Sequence, residues 1–189
     1  MYRQFTRAEA ETILRSSEGA PTSHRGTGRP GHAGSRHLLL NNEELLARYA
    51  QMSEQLIWLN GRRRRREYTL ITAFCTMPDM VDASVLVLNA TQTQAALSDF
   101  FVNVPRGPGM RAEIAFTSQA TFRMRYAQGG EAVRTMPVHD LVMVLDRVDG
   151  RPFGVQVQTF FGTLEDIPRN TATITMPGGG PYRSHFVPV

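Results

Sequence analysis

The chain has 189 residues, a formal net charge of +4 and a sequence pI of about 9.8, enough for one domain with a real apolar core and no covalent staples. All 21 of its basic side chains are arginine and Cys75 is its one cysteine, which excludes an intramolecular disulfide and any thiolate-rich metal cluster. Met1 to Glu11 has no apolar signal-peptide core, and no apolar run is long enough to span a bilayer; if the chain is exported, a secretion system or a larger parent protein is expected to carry it.

Thr6-Arg7-Ala8-Glu9 has the spacing of a capping box and predicts a short helix over Ala8 to Arg15. Ser16 to Ser35 is rich in Gly, Ser, Thr and Pro and reads as a loop or linker. This sets residues 1–30, an N-terminal helix and flexible linker, apart from a folded domain over residues 31–165. Asn41-Asn42-Glu43-Glu44 offers a second capping box, after which Leu45, Tyr49, Met52, Leu56 and Leu59 recur at steps of four and three. The pattern predicts one helix ending at Asn60-Gly61. Arg48 falls beside that stripe, where its stem can lie on the core while its guanidinium reaches out.

Arg62 to Arg66 is an uninterrupted basic run, read as a solvated loop or a segment that tracks phosphates. Glu67 to Phe74 predicts a strand, and Thr76, Pro78 and Asp79 open a helical stretch from about Met77 to Phe101, broken near Asn89 to Thr93. Four strands are then expected: Arg111 to Phe116, Thr121 to Tyr126, Val138 to Val148 and Phe153 to Phe161, with Asp149-Gly150 as the turn between the last two. Val142 to Leu145 is apolar on both faces and belongs in the middle of the sheet. Residues 166–189 read as an irregular tail. Helices first and antiparallel strands afterwards make the fold class α+β.

Among residues able to carry chemistry, His32 and His37 stand just before the second capping box. Histidine titrates near neutrality and is the commonest general acid or base; two ordinary loop histidines have the same spacing. No carboxylate or third histidine accompanies them in a metal-ligand pattern, so no metal or other cofactor is expected. Arginine supplies a planar fork that binds phosphate at any working pH, and a basic chain favours nucleic acid as partner. Alternation along the last strand puts Phe153, Val155, Val157, Thr159 and Phe161 on one face and Gln156, Gln158 and Phe160 on the other. Thr159 then ends an apolar face, where its hydroxyl either meets a ligand or simply suits a strand.

The order of these elements resembles a known family. Gly31-His32, Arg36-His37 and Asn42-Glu43-Glu44-Leu45-Leu46-Ala47-Arg48 resemble the opening Gly-His-Thr-Leu-x-x-His-Val-Gly-Lys-Thr-Asp-x-x-Leu-x-x-Arg of the RNase A-like C-terminal toxin domains of contact-dependent growth inhibition (CDI) systems. The step of eleven residues from His37 to Arg48 matches that pattern. Thr72-Ala73-Phe74 resembles the family's Ser-x-Phe segment, and Val155 to Phe161 its last hairpin, which ends in Thr-x-Tyr. The likeness covers about residues 31–162, and its first block is the most specific.

The resemblance implies an RNase A-like fold without disulfides and a metal-independent endoribonuclease that cuts RNA by transesterification to a 2′,3′-cyclic phosphate. His37 would be the acid–base residue, Arg48 the phosphate ligand and Thr159 a substrate contact. Implied partners are an RNA substrate and a cognate immunity protein, with a monomer delivered to act in the target-cell cytoplasm and no membrane association. Phe161 departs from the family's tyrosine. That leaves the general acid open, with His32 and His139 as candidates, and keeps as the alternative a catalytically reduced RNA- or protein-binding domain on the same scaffold.

Overall fold

The computed structural model describes residues 2–21, 30–38, 41–53, 56–59, 62–65, 71–103, 109–128, 132–164, 169–177 and 180–187. Helix α1 (Arg7–Ser17) starts at the predicted capping box: Thr6 accepts from Glu9 N, and the Glu9 carboxylate accepts from Thr6 N. Ile13 and Leu14 from this helix lie in the same buried cluster as the sheet residues Leu145 and Val157.

The segment read as a linker carries structure at both ends. Glu18 and Gly31 form a parallel bridge, Pro21 and Pro30 an antiparallel one, and Ala33–His37 is a short helix, α2. Residues 22–29 lie outside the described residues. Helix α3 (Asn42–Ser53) begins as predicted, with Glu44 N donating to Asn41 Oδ1 at 2.8 Å and Asn41 N to the Glu44 carboxylate at 3.0 Å. It stops short of the predicted end, because Leu56 and Leu59 belong to strand β1 (Leu56–Leu59), which pairs antiparallel with β2 (Arg62–Arg65). Leu59 pairs with Arg62; the Asn60-Gly61 dipeptide, read as a helix stop, lies outside the described residues.

Strand β3 (Ile71–Phe74) is followed by α4 (Met77–Asn89), capped by Thr76 with Pro78 in its first turn, and α5 (Thr91–Ser98), so the predicted break falls at Ala90. The two strands expected over residues 111–126 are one long strand, β4 (Arg111–Ala127), whose pairing slips between Thr117 and Phe122. It pairs with β5 (Arg134–Arg147), and β5 with β6 (Val155–Thr163). The tail read as irregular holds two more strands, β7 (Thr171–Thr175) and β8 (Pro181–Phe186). In β7 the buried Ala172 and Ile174 alternate with threonines, a short period-2 signal of the kind that marks a half-buried strand.

Among the described residues the large sheet is six-stranded and antiparallel, ordered β6-β5-β4-β7-β8, with β3 against the far end of β4. The chain is therefore α+β as expected, and β5 has its predicted interior place. α1, α4 and α5 share one apolar core with the sheet, where Phe74 and Phe160 are fully buried with ring centroids 5.1 Å apart. Each such side chain contributes about 1.5–3 kcal/mol relative to exposure. A smaller cluster of Leu45, Ile71, Ala73 and Ala127 fixes α3 over β3 and β4.

Candidate active site

His37 occupies the last position of α2 and is 7% exposed. Two backbone approaches put it there. Gly31 passes so close to the carbonyls of Ser17 and Val157 that a Cβ would collide with both, and His32 N donates to Gln158 O at 3.0 Å. With Ser17 Oγ, which accepts from Val157 N at 2.8 Å, the His32 amide occupies two backbone groups on the edge of β6 that would otherwise be open to pairing.

The Thr72 carbonyl lies 3.1 Å from His37 Nδ1. A carbonyl only accepts, so Nδ1 carries the proton and Nε2 presents its lone pair. Arg48 Nη2 stands 3.3 Å from that Nε2. Burial first, and the Arg48 charge second, hold the His37 pKa well below the ordinary histidine value; the Thr72 carbonyl opposes them. His37 is thus neutral at physiological pH, with the Arg48 guanidinium at its Nε2.

Arg48 reaches this point because Leu45, one turn earlier on α3, is fully buried in the smaller cluster and sets the rotation of the helix. Phe161 reaches it from β6: its ring stacks on His37 with centroids 5.3 Å apart at 26°. The expected face assignment along β6 is corrected here. Val157 pairs with Leu145, but Thr159 pairs with Val144, so β6 spends two residues, Gln158 and Thr159, on one step of β5. This bulge reverses the alternation. Val155, Val157 and Phe160 face the core, whereas Thr159 and Phe161, both half-buried, share the other face.

His32 caps α2, its ring centroid 6.1 Å from that of His37. Its Nδ1 lies 3.2 Å from Pro30 O. Burial lowers the His32 pKa, less than for His37; the Pro30 carbonyl raises it, and Arg36 and Arg48 lower it further. His139 is exposed on β5 and is not among the groups that touch His37. The basic run of β2 keeps only its backbone placement here, since side chains of residues 53–70 lie outside the described set. Thr72 is the site residue that sequence reasoning did not single out, although the resemblance covered its segment. Its carbonyl orients His37, and its hydroxyl donates to Gly162 O, tying β3 to the end of β6.

Among the described residues no three His, Cys, Asp or Glu side chains gather as a metal site requires, and no helix is long and apolar enough to cross a membrane. No protein-family model matches the chain, and no curated protein matches it. A solved structure, a CdiA-CT/CdiI complex from Y. kristensenii 33638, is similar over 70% of this chain and 99% of that chain, with 16% identity and a TM-score of 0.48.

The side chains define what this cluster can do. A neutral imidazole whose Nε2 is released by the guanidinium can remove a proton, the guanidinium can hold a phosphate, and a second imidazole of higher pKa can return a proton. Burial lowers both imidazole pKa values, that of His37 further, which leaves two neighbouring groups of unequal basicity, as paired acid–base chemistry requires.

Proposed function

We propose that the protein is a bacterial toxin domain that cleaves RNA by transesterification without a metal ion. The observation that carries this reading is the approach of Arg48 Nη2 to His37 Nε2 at 3.3 Å, with the imidazole held neutral and its tautomer fixed by Thr72. The toxin assignment rests on the sequence resemblance around His32, His37 and Arg48. With it come an immunity protein as partner, delivery by a parent protein and action in the cytoplasm of the target cell.

In this mechanism the scissile phosphate displaces the Arg48 guanidinium from Nε2 and takes its bidentate fork. The freed Nε2 removes the proton of the ribose 2′-hydroxyl, whose oxygen attacks the adjacent phosphorus in line. Charge gathering on the equatorial oxygens is met by the preorganised arginine. The 5′-oxygen leaves with a proton from the general acid, assigned to His32, and the product ends in a 2′,3′-cyclic phosphate. Thr159, on the face shared with Phe161, holds the substrate. DNA lacks the attacking hydroxyl.

The test is incubation of purified protein with total RNA and with DNA in EDTA, followed by analysis of the product ends. Cleaved RNA with cyclic phosphate ends and intact DNA are expected. Activity lost in EDTA and restored by magnesium overturns the mechanism, and RNA left intact at high protein concentration favours the binding domain instead.

A further inference from the structure

A polar network outside the His37–Arg48 pair runs from the inside of the sheet to His32. Asp146 on β5 is fully buried and receives Arg111 of β4 through two hydrogen bonds, Nε to Oδ1 at 2.7 Å and Nη2 to Oδ2 at 2.9 Å. The same Nη2 lies 2.9 Å from Gln158 Oε1. A guanidinium only donates, so the Gln158 amide oxygen must face Arg111. Its nitrogen then faces Pro30 O at 3.1 Å, the carbonyl that also takes His32 Nδ1 at 3.2 Å. Every donor and acceptor along the path is thereby assigned, from the Asp146 carboxylate to a proton on His32 Nδ1.

Gln158 is also the residue added by the bulge of β6, and its backbone carbonyl accepts from His32 N at 3.0 Å. One residue therefore holds the peptide of His32 directly and the ring through Pro30. The His32 side chain makes no capping bond to its helix, and Pro30 O, which Gln158 also holds, is the hydrogen-bond partner of its ring.

We propose that Gln158, held by the Arg111–Asp146 pair, is a positioning residue that holds the Pro30 carbonyl at His32 Nδ1 and so orients the ring, the carbonyl fixing the tautomer and leaving Nε2 as the nitrogen that exchanges a proton with substrate. This rests on the reading of His32 as general acid. Gln158 itself touches no reacting atom. The charged and titrating groups that act on His32 are Glu18, Arg36, Arg48 and His37, and none of them replaces the Pro30 hydrogen bond.

The experiment compares the wild type with Gln158→Glu and Gln158→Met. The glutamate keeps an acceptor for Arg111 and loses the donor to Pro30, while methionine has similar length and neither group. Nitrogen-15 NMR of the histidine rings should show neutral His32 protonated at Nδ1 in the wild type, and loss of that tautomer in both variants with the fold intact. In RNA cleavage, kcat/KM should fall about tenfold to a hundredfold, as small misplacements of a reacting group do, and this loss should vanish in a His32→Ala background. The basic limb of the Gln158→Met pH profile should move to lower pH, because the Pro30 carbonyl favours the protonated ring. Unchanged nitrogen shifts in both folded variants overturn the proposal, and so does an equal rate loss with and without His32. If the wild type leaves RNA intact, the ribonuclease reading fails while the nitrogen shifts still decide the role of Gln158.

Discussion

Arg48 Nη2 and His37 Nε2 lie 3.3 Å apart across the gap between α3 and α2, and the other imidazole nitrogen is held by Thr72 O. In the proposed mechanism this pair handles a phosphate oxygen and a hydroxyl proton together. His37→Ala and Arg48→Ala are each expected to lower cleavage by about 10²–10⁴-fold with the fold retained. Arg48→Lys should fail as well, since a point charge does not reproduce the planar fork. Cleavage rates and thermal melts of the three variants decide this, and wild-type rates in either alanine variant would remove the pair from the mechanism.

The pH dependence follows from the two depressed histidines. His37 must be neutral to act as base, and its pKa lies well below the ordinary value; the acidic limb of kcat/KM therefore falls far to the acid side. His32 must be protonated to act as acid, and its pKa is lowered less. The basic limb is then expected below about pH 6.5, the value of an unperturbed histidine, giving a bell on the acid side of neutrality. A basic limb that stays in place in His32→Ala would assign the acid elsewhere.

Phe161 stacks on His37 and is half-buried. Phe161→Tyr adds a hydroxyl to this ring at little cost in stability, provided the new oxygen reaches solvent or substrate. With His32 as the general acid, single-turnover cleavage should stay near the wild-type rate and His32→Ala should be as damaging as His37→Ala; a clear rise in Phe161→Tyr would instead assign the proton donor to position 161.

Folding stability should also depend on His37. Unfolded, it titrates near 6.5, whereas in the folded protein burial and Arg48 keep it neutral to much lower pH. Below about pH 6.5 the unfolded chain binds a proton that the folded chain refuses, so stability falls with pH from there toward the folded pKa; above it the ring contributes no slope. His32 adds a smaller contribution of the same sign. Urea midpoints measured between about pH 7.5 and pH 5 should decline for the wild type and flatten in His37→Gln. Equal slopes in the two proteins would contradict a buried, neutral His37.

Gly31→Ala should be costly although the change is one methyl group. Its Cβ would stand 2.9 Å from Val157 O and closer still to Ser17 O, and backbone atoms cannot step aside as a side chain can. Overpacking of this kind costs about 1–3 kcal/mol. Denaturant unfolding gives the number, and cleavage should fall with it, because the next residue is His32.

Much of this molecule is written locally. The capping boxes at Thr6 and Asn41 mark the starts of α1 and α3 within a residue or two, and the β6 pattern announces a strand. Such features depend on neighbours three or four residues away, and the sequence displays those directly. The meeting of His37 and Arg48 is signalled only by the resemblance that the eleven-residue step carries, not by any local pattern. Leu56 and Leu59 show the limit, since steps of three and four also fit residues that pair as a strand with Arg62–Arg65.

Which face of β6 looks into the site was decided only in three dimensions. Unbroken alternation would put Phe161 with Val157, but the extra residue at Gln158 turns Phe160 to the core and Phe161 to His37. The break is faintly visible in Val155-Gln156-Val157-Gln158-Thr159-Phe160-Phe161, where apolar residues shift from odd positions to an even one. Its position still depends on the strand across the ladder. The His37 tautomer depends on Thr72, thirty-five residues away, and the orientation of His32 on a buried carboxylate at Asp146. Partners so distant in sequence are brought together only when the sheet closes against the helices, so packing, and no local pattern, determines them.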